Sequence, residues 1–259
     1  WSALPPTGRM NAAGRALTLL ADGSLAAGGT FTEAGGRPAR GVARWDGADW
    51  SPLGTETGPA SLAVTDLAVL PGGDLVACGS FFALGAVNAR GIARWDGEAW
   101  QPFGSGVLGS ALCVAALTNG HLVLGGEFNS VDGVAAANLA RWDGTNWTAL
   151  GGGVNGGVYA LHVLANGDLL VGGRFGTAGG AAASRIARWN GTAWSALGTG
   201  VAATGAPQVN AITALANGDL VIGGSFSRVG RVNTAHLARW DRVAWHTLGS
   251  GASGAFDNS

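Results

Sequence analysis

Lysine is absent from this 259-residue sequence, and charge of either sign is scarce. All 15 basic residues are arginine, and 16 acidic residues bring the formal net charge to −1. Surfaces that bind nucleic acid carry clustered basic residues that neutralise phosphates. Because this chain has no basic stripe, we do not expect it to bind nucleic acid.

Long apolar runs and cysteines are scarce as well. No run approaches the roughly 18 residues that a membrane-spanning helix needs, so no transmembrane segment is expected. Cys78 and Cys113 are the only cysteines and lack metal-ligand spacing. They lie in neighbouring repeats, where either a disulfide or two buried thiols would fit. The chain begins at Trp1 rather than Met, which is typical of a mature or excised form.

The sequence consists of five copies of one unit. A pair of tryptophans separated by four residues occurs five times, and the first tryptophans are 50, 47, 47 and 51 residues apart. A small-small-x-Phe step (GGTF, CGSF, GGEF, GGRF, GGSF) begins 16 positions before the arginine that precedes each pair. A glycine-containing turn lies further upstream (ADGSL, PGGDL, TNGHL, ANGDL, ANGDL). The repeats span approximately residues 14–53, 64–103, 111–150, 158–197 and 209–248.

Each copy predicts four short strands, A to D. In the fourth copy these are VYALHVL, DLLVGGRF, SRIARW and AWSALG. Asn-Gly and Asp-Gly between the strands favour two-residue type I′ hairpins. Strands A, B and C are apolar on both faces, which predicts burial on both sides. Helical periodicity is absent, so the units indicate the blades of a β-propeller.

The predicted fold is therefore all-β, a single propeller domain of four-stranded blades over residues 1–259. Five blades are expected, or six or more if the chain is a fragment of a longer array. The segment Trp1–Leu4 matches strand D, so it is expected to be an extra outer strand that closes the ring and hides sheet edges.

Residues found in every repeat are expected to be structural. A buried tryptophan contributes a large apolar area, so packing within blades is favoured over sugar stacking. The strand C arginine is expected to point between blades and needs acceptors, which Asp46 and its equivalents, or nearby carbonyls, could supply. The structural residues are Arg44, Trp45, Trp50, Arg94, Trp95, Trp100, Arg141, Trp142, Trp147, Arg188, Trp189, Trp194, Arg239, Trp240 and Trp245.

Loop length points to one binding face. The A–B and C–D turns are short and uniform, whereas the B–C and D–A loops are long and variable. Functional residues concentrate on variable loops of rigid scaffolds. Candidate ligand-binding residues on this face are Glu33, Arg37, Arg40, Asn88, Arg90, Asp132, Asn138, Arg185, Arg228, Arg231 and His236. The alternative for each is an ordinary solvated loop residue.

Catalysis has little support in the sequence. Propeller glycosidases need convergent carboxylates in the central channel, and only Asp66 and Glu127 occupy suitable strand positions. The four histidines come from different strand positions, which argues against a shared metal site. No catalytic residue, metal or cofactor is therefore expected.

The small-small-x-Phe step and the Trp of strand D resemble the kelch-type repeat. The longer string GG-x-F…G-[IV]-A-R-W-D-G…W-x-x-L-G is more similar to bacterial and fungal surface propellers, including delta-60 and Rax2-like proteins. This resemblance implies a bacterial protein of the extracellular space or cell envelope. The tryptophan spacing departs from the kelch pattern, so kelch partners and chemistry are not carried over.

Three functions remain open. The first is a noncatalytic module that binds protein or glycan through the B–C and D–A loops. The second is a structural subunit or module of a larger assembly. The third, with the least support, is a glycan-active enzyme that uses Asp66 and Glu127.

Overall fold

The computed structural model describes residues 9–54, 62–202 and 206–249. Within these ranges the regular structure is entirely β. The predicted strand Trp1–Leu4 lies outside them. No helix in the described part of the chain is long and apolar enough to cross a membrane.

The chain divides into two compact units. Unit 1 consists of Trp1–Leu124, Phe128–Ala135 and Arg141–Thr148. Unit 2 consists of Gly125–Glu127, Ala136–Ala140 and Ala149–Ser259.

Within the described residues, five antiparallel sheets, here blades 1 to 5, each contain four strands paired in the order A-B-C-D, and the third sheet has one further short strand. Strand A comprises Gly14–Leu19, Ala63–Val69, Val107–Ala116, Val158–Val163 and Gln208–Ala214. Strand B comprises Leu25–Gly29, Leu75–Ser80, Leu122–Val131, Leu169–Gly173 and Leu220–Ser225. Strand C comprises Val42–Trp45, Ile92–Trp95, Leu139–Trp142, Ile186–Trp189 and Leu237–Trp240. Strand D comprises Trp50–Pro52, Trp100–Pro102, Trp147–Ala149, Trp194–Ala196 and Trp245–Thr247. The prediction of four-stranded antiparallel units is confirmed.

Short strands also occur between strands B and C. They form two-residue hairpins, and the third blade has one extra strand that pairs with the end of its strand B. The segments are Glu33–Ala34 with Arg37–Pro38, Ala83–Leu84 with Val87–Asn88, Val134–Ala135, Thr177–Ala178 with Ala181–Ala182, and Arg228–Val229 with Val232–Asn233. Val201–Ala202 pairs with Arg228–Val229. The long B–C loops are therefore ordered by backbone pairing.

The A–B turns differ from the predicted two-residue type I′ hairpins. In blade 1 the last strand pair is Leu19 with Leu25, and the Leu20 N–H donates to the Ser24 carbonyl at 2.8 Å. Gly23 has a φ of +82°, whereas Asp22 is not among the residues with positive φ. A type I′ turn needs positive φ at both central residues. These turns are longer loops in which only the glycine is left-handed.

Strand B forms the buried centre of each blade, and small residues there allow the next blade to approach. A Cβ added at Gly28 would lie 2.6 Å from Val64, on strand A of blade 2. In unit 2, a Cβ at Gly172 would lie 2.7 Å from Val209 of blade 5. Real Cβ contacts are not that short, so in blades 1 and 4 the first glycine of the small-small step permits close packing against the next blade. Strand A is less buried, and Leu17 of blade 1 is 70% exposed.

The tryptophan pairs pack within their own blades. The two rings of each pair are tilted, with centroids 4.9 to 5.6 Å apart. In blades 2, 4 and 5 the second indole also reaches the preceding blade: Trp100 Nε1 donates to the Leu53 carbonyl at 2.9 Å, Trp194 Nε1 to the Gly151 carbonyl at 2.9 Å and Trp245 Nε1 to the Leu197 carbonyl at 3.4 Å. Such rings combine large apolar contact with one hydrogen bond. In blade 3, Trp147 Nε1 is buried without a hydrogen-bond partner among the described residues.

The strand C arginines pair with carboxylates of the A–B turn rather than with Asp46 and its equivalents. The ion pairs are Arg44 with Asp22, Arg94 with Asp74, Arg188 with Asp168 and Arg239 with Asp219. These arginine side chains are 34 to 45% exposed and so are not buried between blades as expected. Asp46 instead accepts the Ala48 and Asp49 N–H groups in the C–D turn.

Candidate functional site

The eleven predicted binding residues all lie between strand B and strand C of their blades, and eight are exposed. Asn138, Arg185 and His236 are only partly exposed. They fall in both units, and several of them support loops.

Three candidates share one unusual backbone position. Asn138, Arg185 and His236 directly precede strand C and have φ values of +63°, +67° and +64°. Blades 1 and 2 have Gly41 and Gly91 there. A left-handed conformation is uncommon for residues other than glycine. Their side chains contact backbone carbonyls, Asn138 with Val154, Arg185 with Pro207 and His236 with Gly224.

Asp132 also holds a loop. Its carboxylate accepts the Ser105 N–H at 2.7 Å and the Ser105 hydroxyl at 3.0 Å. Its own N–H donates to the Gly106 carbonyl at 2.7 Å. Asp132 therefore fixes the D–A loop that enters blade 3.

A cavity of about 590 Å³ lies within unit 1, at the end of the sheets where the B–C and D–A loops are found. Its apolar lining includes Leu62, Phe82, Val107 and Leu108. Phe82 is 71% exposed and Leu108 is 63% exposed. Large apolar side chains that are this exposed in a concave surface are typical of binding sites. We call this the Phe82 cavity.

The polar groups of the Phe82 cavity are few. Thr30, Ser80 and Ser110 contribute hydroxyls, and Arg90 contributes the charge. Among the described lining residues there is no carboxylate, imidazole, thiol or side-chain amide. Arg90 is the predicted binding residue that lines this cavity.

Local packing fixes Arg90. Its carbonyl accepts the Val107 N–H at 2.8 Å. Gly106 has a φ of +80°, and a Cβ there would lie 2.5 Å from the Arg90 Cβ, so only glycine allows this approach. The Arg90 guanidinium carbon lies 5.9 Å from the centroid of the Phe82 ring, within cation–π range.

Comparison of the repeats could have identified Phe82. The residue after the small-small-x-Phe step is Thr32, Asn129, Gly176 and Ser227 in the other four blades. An aromatic residue occurs at this position in blade 2 alone. A residue type that occurs at a given position in one blade alone is a candidate for a role other than blade packing, and Phe82 meets this condition. The search for polar loop residues omitted Phe82 because its side chain is apolar.

Unit 2 contains a hydrogen-bonded pair of polar side chains, Tyr159 and Glu127. The Tyr159 hydroxyl donates to Glu127 Oε1 at 2.6 Å. Burial, followed by this hydrogen bond and the charge of Glu127, raises the pKa of Tyr159 to about 12, while the charge of Arg174 acts to lower it. Glu127 is thus engaged with a neighbouring strand A residue.

Asp66 of blade 2 links two strands in unit 1. It follows a bulge in strand A, and its oxygens accept the Leu67 and Val114 N–H groups, both at 2.9 Å. Burial raises the pKa of this carboxyl to about 6, although both hydrogen bonds act to lower it. Asp66 lies in unit 1 and Glu127 in unit 2.

In the part of the chain that the structure describes, no group of three or more His, Cys, Asp or Glu side chains is placed to hold a metal ion. Cys78 and Cys113 are buried and are not joined by a disulfide, and burial raises the pKa of the Cys78 thiol well above its usual value. The Phe82 cavity can hold an apolar group and pair with one negative charge.

Similarity to known proteins identifies the fold. A protein-family model described as "Domain of unknown function (DUF5122) beta-propeller" matches residues 117–143. No curated protein matches the chain in sequence.

Solved structures are similar over most of the chain. YCF48 bound to D1 peptide is 15% identical, with a TM-score of 0.54 over 92% of this chain and 69% of that chain. Virginiamycin B lyase from Staphylococcus aureus is 11% identical, with a TM-score of 0.50 over 91% and 67%. The extracellular domain of BT4673 from B. thetaiotaomicron is 11% identical, with a TM-score of 0.53, and the match spans 82% of this chain and 26% of that chain.

Together with the five four-stranded sheets, these similarities show that the chain has a β-propeller fold. Propellers that bind peptides and propellers that catalyse reactions both occur among these neighbours. At such low identity the likeness extends to the fold alone, and function must be argued from the site.

Proposed function

We propose that the protein is a noncatalytic binding module of the bacterial extracellular space or cell envelope, and that the Phe82 cavity is its ligand site. The observation that carries this proposal is the exposure of Phe82 and Leu108 in one cavity beside Arg90. A volume of about 590 Å³ falls within the usual range for ligand sites.

Two further observations support the proposal. Among the described lining residues of the Phe82 cavity, no side chain commonly acts as a general base. The hydroxyls of Thr30, Ser80 and Ser110 are the side-chain groups of a type that can act as a nucleophile. The proposed location in the extracellular space or cell envelope is supported by the resemblance of the repeat to delta-60 and Rax2-like surface proteins. It is also supported by the similarity of the fold to the extracellular domain of BT4673.

Binding of the purified chain to a glycan array and to a displayed random-peptide library tests this function. The test variant is Phe82→Ser, because Ser227 stands at the equivalent position of blade 5. The control is Val243→Ser in the C–D turn of blade 5, where the valine is 83% exposed.

We expect saturable binding to one ligand class, lost in Phe82→Ser and kept in Val243→Ser. Equal binding by both variants would reject the Phe82 cavity as the site. Absence of any ligand, together with a partner subunit that associates regardless of Phe82, would instead indicate a structural module of a larger assembly.

A further inference from the structure

We infer that the Phe82 cavity recognises an acidic, apolar peptide segment of a protein partner, a conclusion that rests on the binding function proposed above. In this arrangement an aliphatic or aromatic side chain packs between Phe82 and Leu108, and an adjacent carboxylate pairs with Arg90. The inference depends on three properties of the cavity lining.

The first property is its apolar surface. Phe82 and Leu108 are both more than 60% exposed and belong to different blades, blade 2 and blade 3. Neighbouring Leu62 and Val107 extend the same lining. An apolar side chain placed here removes surface from water on both itself and the cavity, which is the main source of affinity in such sites.

The second property is the sign and availability of the charge. Arg90 is the one charged residue among the described lining residues, and no described carboxylate forms an ion pair with it. A guanidinium that stacks on an aromatic ring keeps its N–H edge for a planar acceptor, and a carboxylate matches that edge with two hydrogen bonds. An anion is therefore favoured over a neutral or cationic group.

The third property separates a peptide from a glycan. A sugar presents many hydroxyls, and each one that is buried without a partner costs free energy. The polar side chains of the lining are three hydroxyls and Arg90, without Asp, Asn, Glu, Gln or His among the described residues. An apolar side chain flanked by a single acid leaves fewer polar groups unpaired.

Two fluorescent tetrapeptides that differ in one group test the inference. Both carry phenylalanine, followed by aspartate in one and by asparagine in the other, with blocked termini. Their dissociation constants are measured for the wild-type chain, for Arg90→Gln and for Arg242→Gln. Arg242 is the control, because it is an exposed arginine in the C–D turn of blade 5 and does not line the Phe82 cavity.

We expect the aspartate peptide to bind the wild type about tenfold more tightly than the asparagine peptide, since an ionised acceptor strengthens hydrogen bonds to a guanidinium. The ratio should fall to about one in Arg90→Gln and stay unchanged in Arg242→Gln. Phe82→Ser should weaken both peptides by a similar factor. Equal affinities in the wild type, or a ratio that survives in Arg90→Gln, would overturn the assignment.

The result on a glycan array distinguishes failure of this inference from failure of the proposed function. A glycan signal that depends on Phe82, with no peptide binding, would leave the binding function standing and reject the peptide class. Absence of both signals would reject the two together.

Discussion

The Arg90 guanidinium lies over the ring of Phe82, and Phe82 itself directly follows a phenylalanine that points into the core. Phe81 is 6% exposed, whereas Phe82 is 71% exposed. Phe81 belongs to the hydrophobic core and only borders the cavity, whereas Phe82 leaves most of its side chain exposed there.

This difference in burial predicts that substitutions of the two adjacent residues affect stability to very different extents. Phe81→Ser should lower the free energy of unfolding by at least about 3 kcal/mol, because it removes a buried aromatic side chain. Phe82→Ser should change it by no more than about 0.5 kcal/mol, as is usual for exposed positions. Urea unfolding followed by tryptophan fluorescence measures both. A large loss of stability in Phe82→Ser would mean that Phe82 serves packing and not binding.

Blade 3 lacks the carboxylate that pairs with the strand C arginine elsewhere. His121 occupies the place of Asp74, Asp168 and Asp219, and Arg141 Nε is buried without a hydrogen-bond partner among the described residues. We predict that His121→Asp raises the free energy of unfolding by about 0.5 to 1 kcal/mol, as partly exposed ion pairs do.

The matched control is the reverse exchange in blade 4. Asp168→His removes the carboxylate that pairs with Arg188 and should destabilise the chain. Chemical unfolding at low and high salt measures both variants, and the His121→Asp gain should shrink at high salt because screening weakens the pair. A loss of stability in His121→Asp would show that the histidine is needed where it is.

The raised pKa of Asp66 predicts that its contribution to the free energy of unfolding is larger at low pH than at neutral pH, the opposite of the usual behaviour of a carboxylate. Its pKa is raised from 3.8 to about 6 in the folded chain, so the folded state holds the proton between these values and the unfolded state does not. The stabilisation is therefore complete below pH 3.8 and is lost as the pH rises through about 6. Other carboxylates, such as Asp96 with a pKa lowered to about 2, act in the opposite direction.

The comparison with Asp66→Asn isolates this group. On lowering the pH from 7.5 to 4.5, the wild type should gain about 2 kcal/mol of unfolding free energy relative to the variant. Urea unfolding at the two pH values measures the difference. A relative loss for the wild type at low pH would contradict the assigned environment of Asp66.

Tyr159 can be titrated without interference from other tyrosines, because it is the single tyrosine of the chain. Its pKa of about 12 arises from burial first and from the hydrogen bond to Glu127 second. We predict that Glu127→Gln lowers the midpoint of tyrosinate absorbance, because the negative charge disappears, but leaves it above the unfolded value of about 10. The unfolded chain in urea is the control. An unchanged midpoint would show that the contact between Tyr159 and Glu127 does not persist in solution.

Much of the fold follows from the sequence because blade packing is periodic. The Trp95 and Trp100 pair and the small-small-x-Phe step of blade 2 have equivalents in each copy, and each tryptophan pair packs ring against ring within its own blade. The partner of Arg94 was harder to predict. Asp96 is nearby in sequence, but pairing of strands B and C places the A–B turn and its Asp74 beside the arginine.

The candidate site depends on contacts that the repeat does not encode. The Phe82 cavity forms where the starts of strand A in blades 2 and 3 meet the end of strand B in blade 2, so its lining comes from distant parts of the sequence. The positive φ of the residue before strand C could have been predicted from the sequence. Asn138 aligns with Gly41 and Gly91 of other repeats, and glycine favours such positions. Their contacts with loop carbonyls required the structure.

The most direct test of the account is the dissociation constant of a ligand identified with the wild-type chain, measured again for Phe82→Ser and Val243→Ser. The account predicts at least a tenfold loss of affinity in Phe82→Ser and no change in Val243→Ser, with both variants folded. Undiminished affinity in folded Phe82→Ser would contradict the claim that the Phe82 cavity is the binding site.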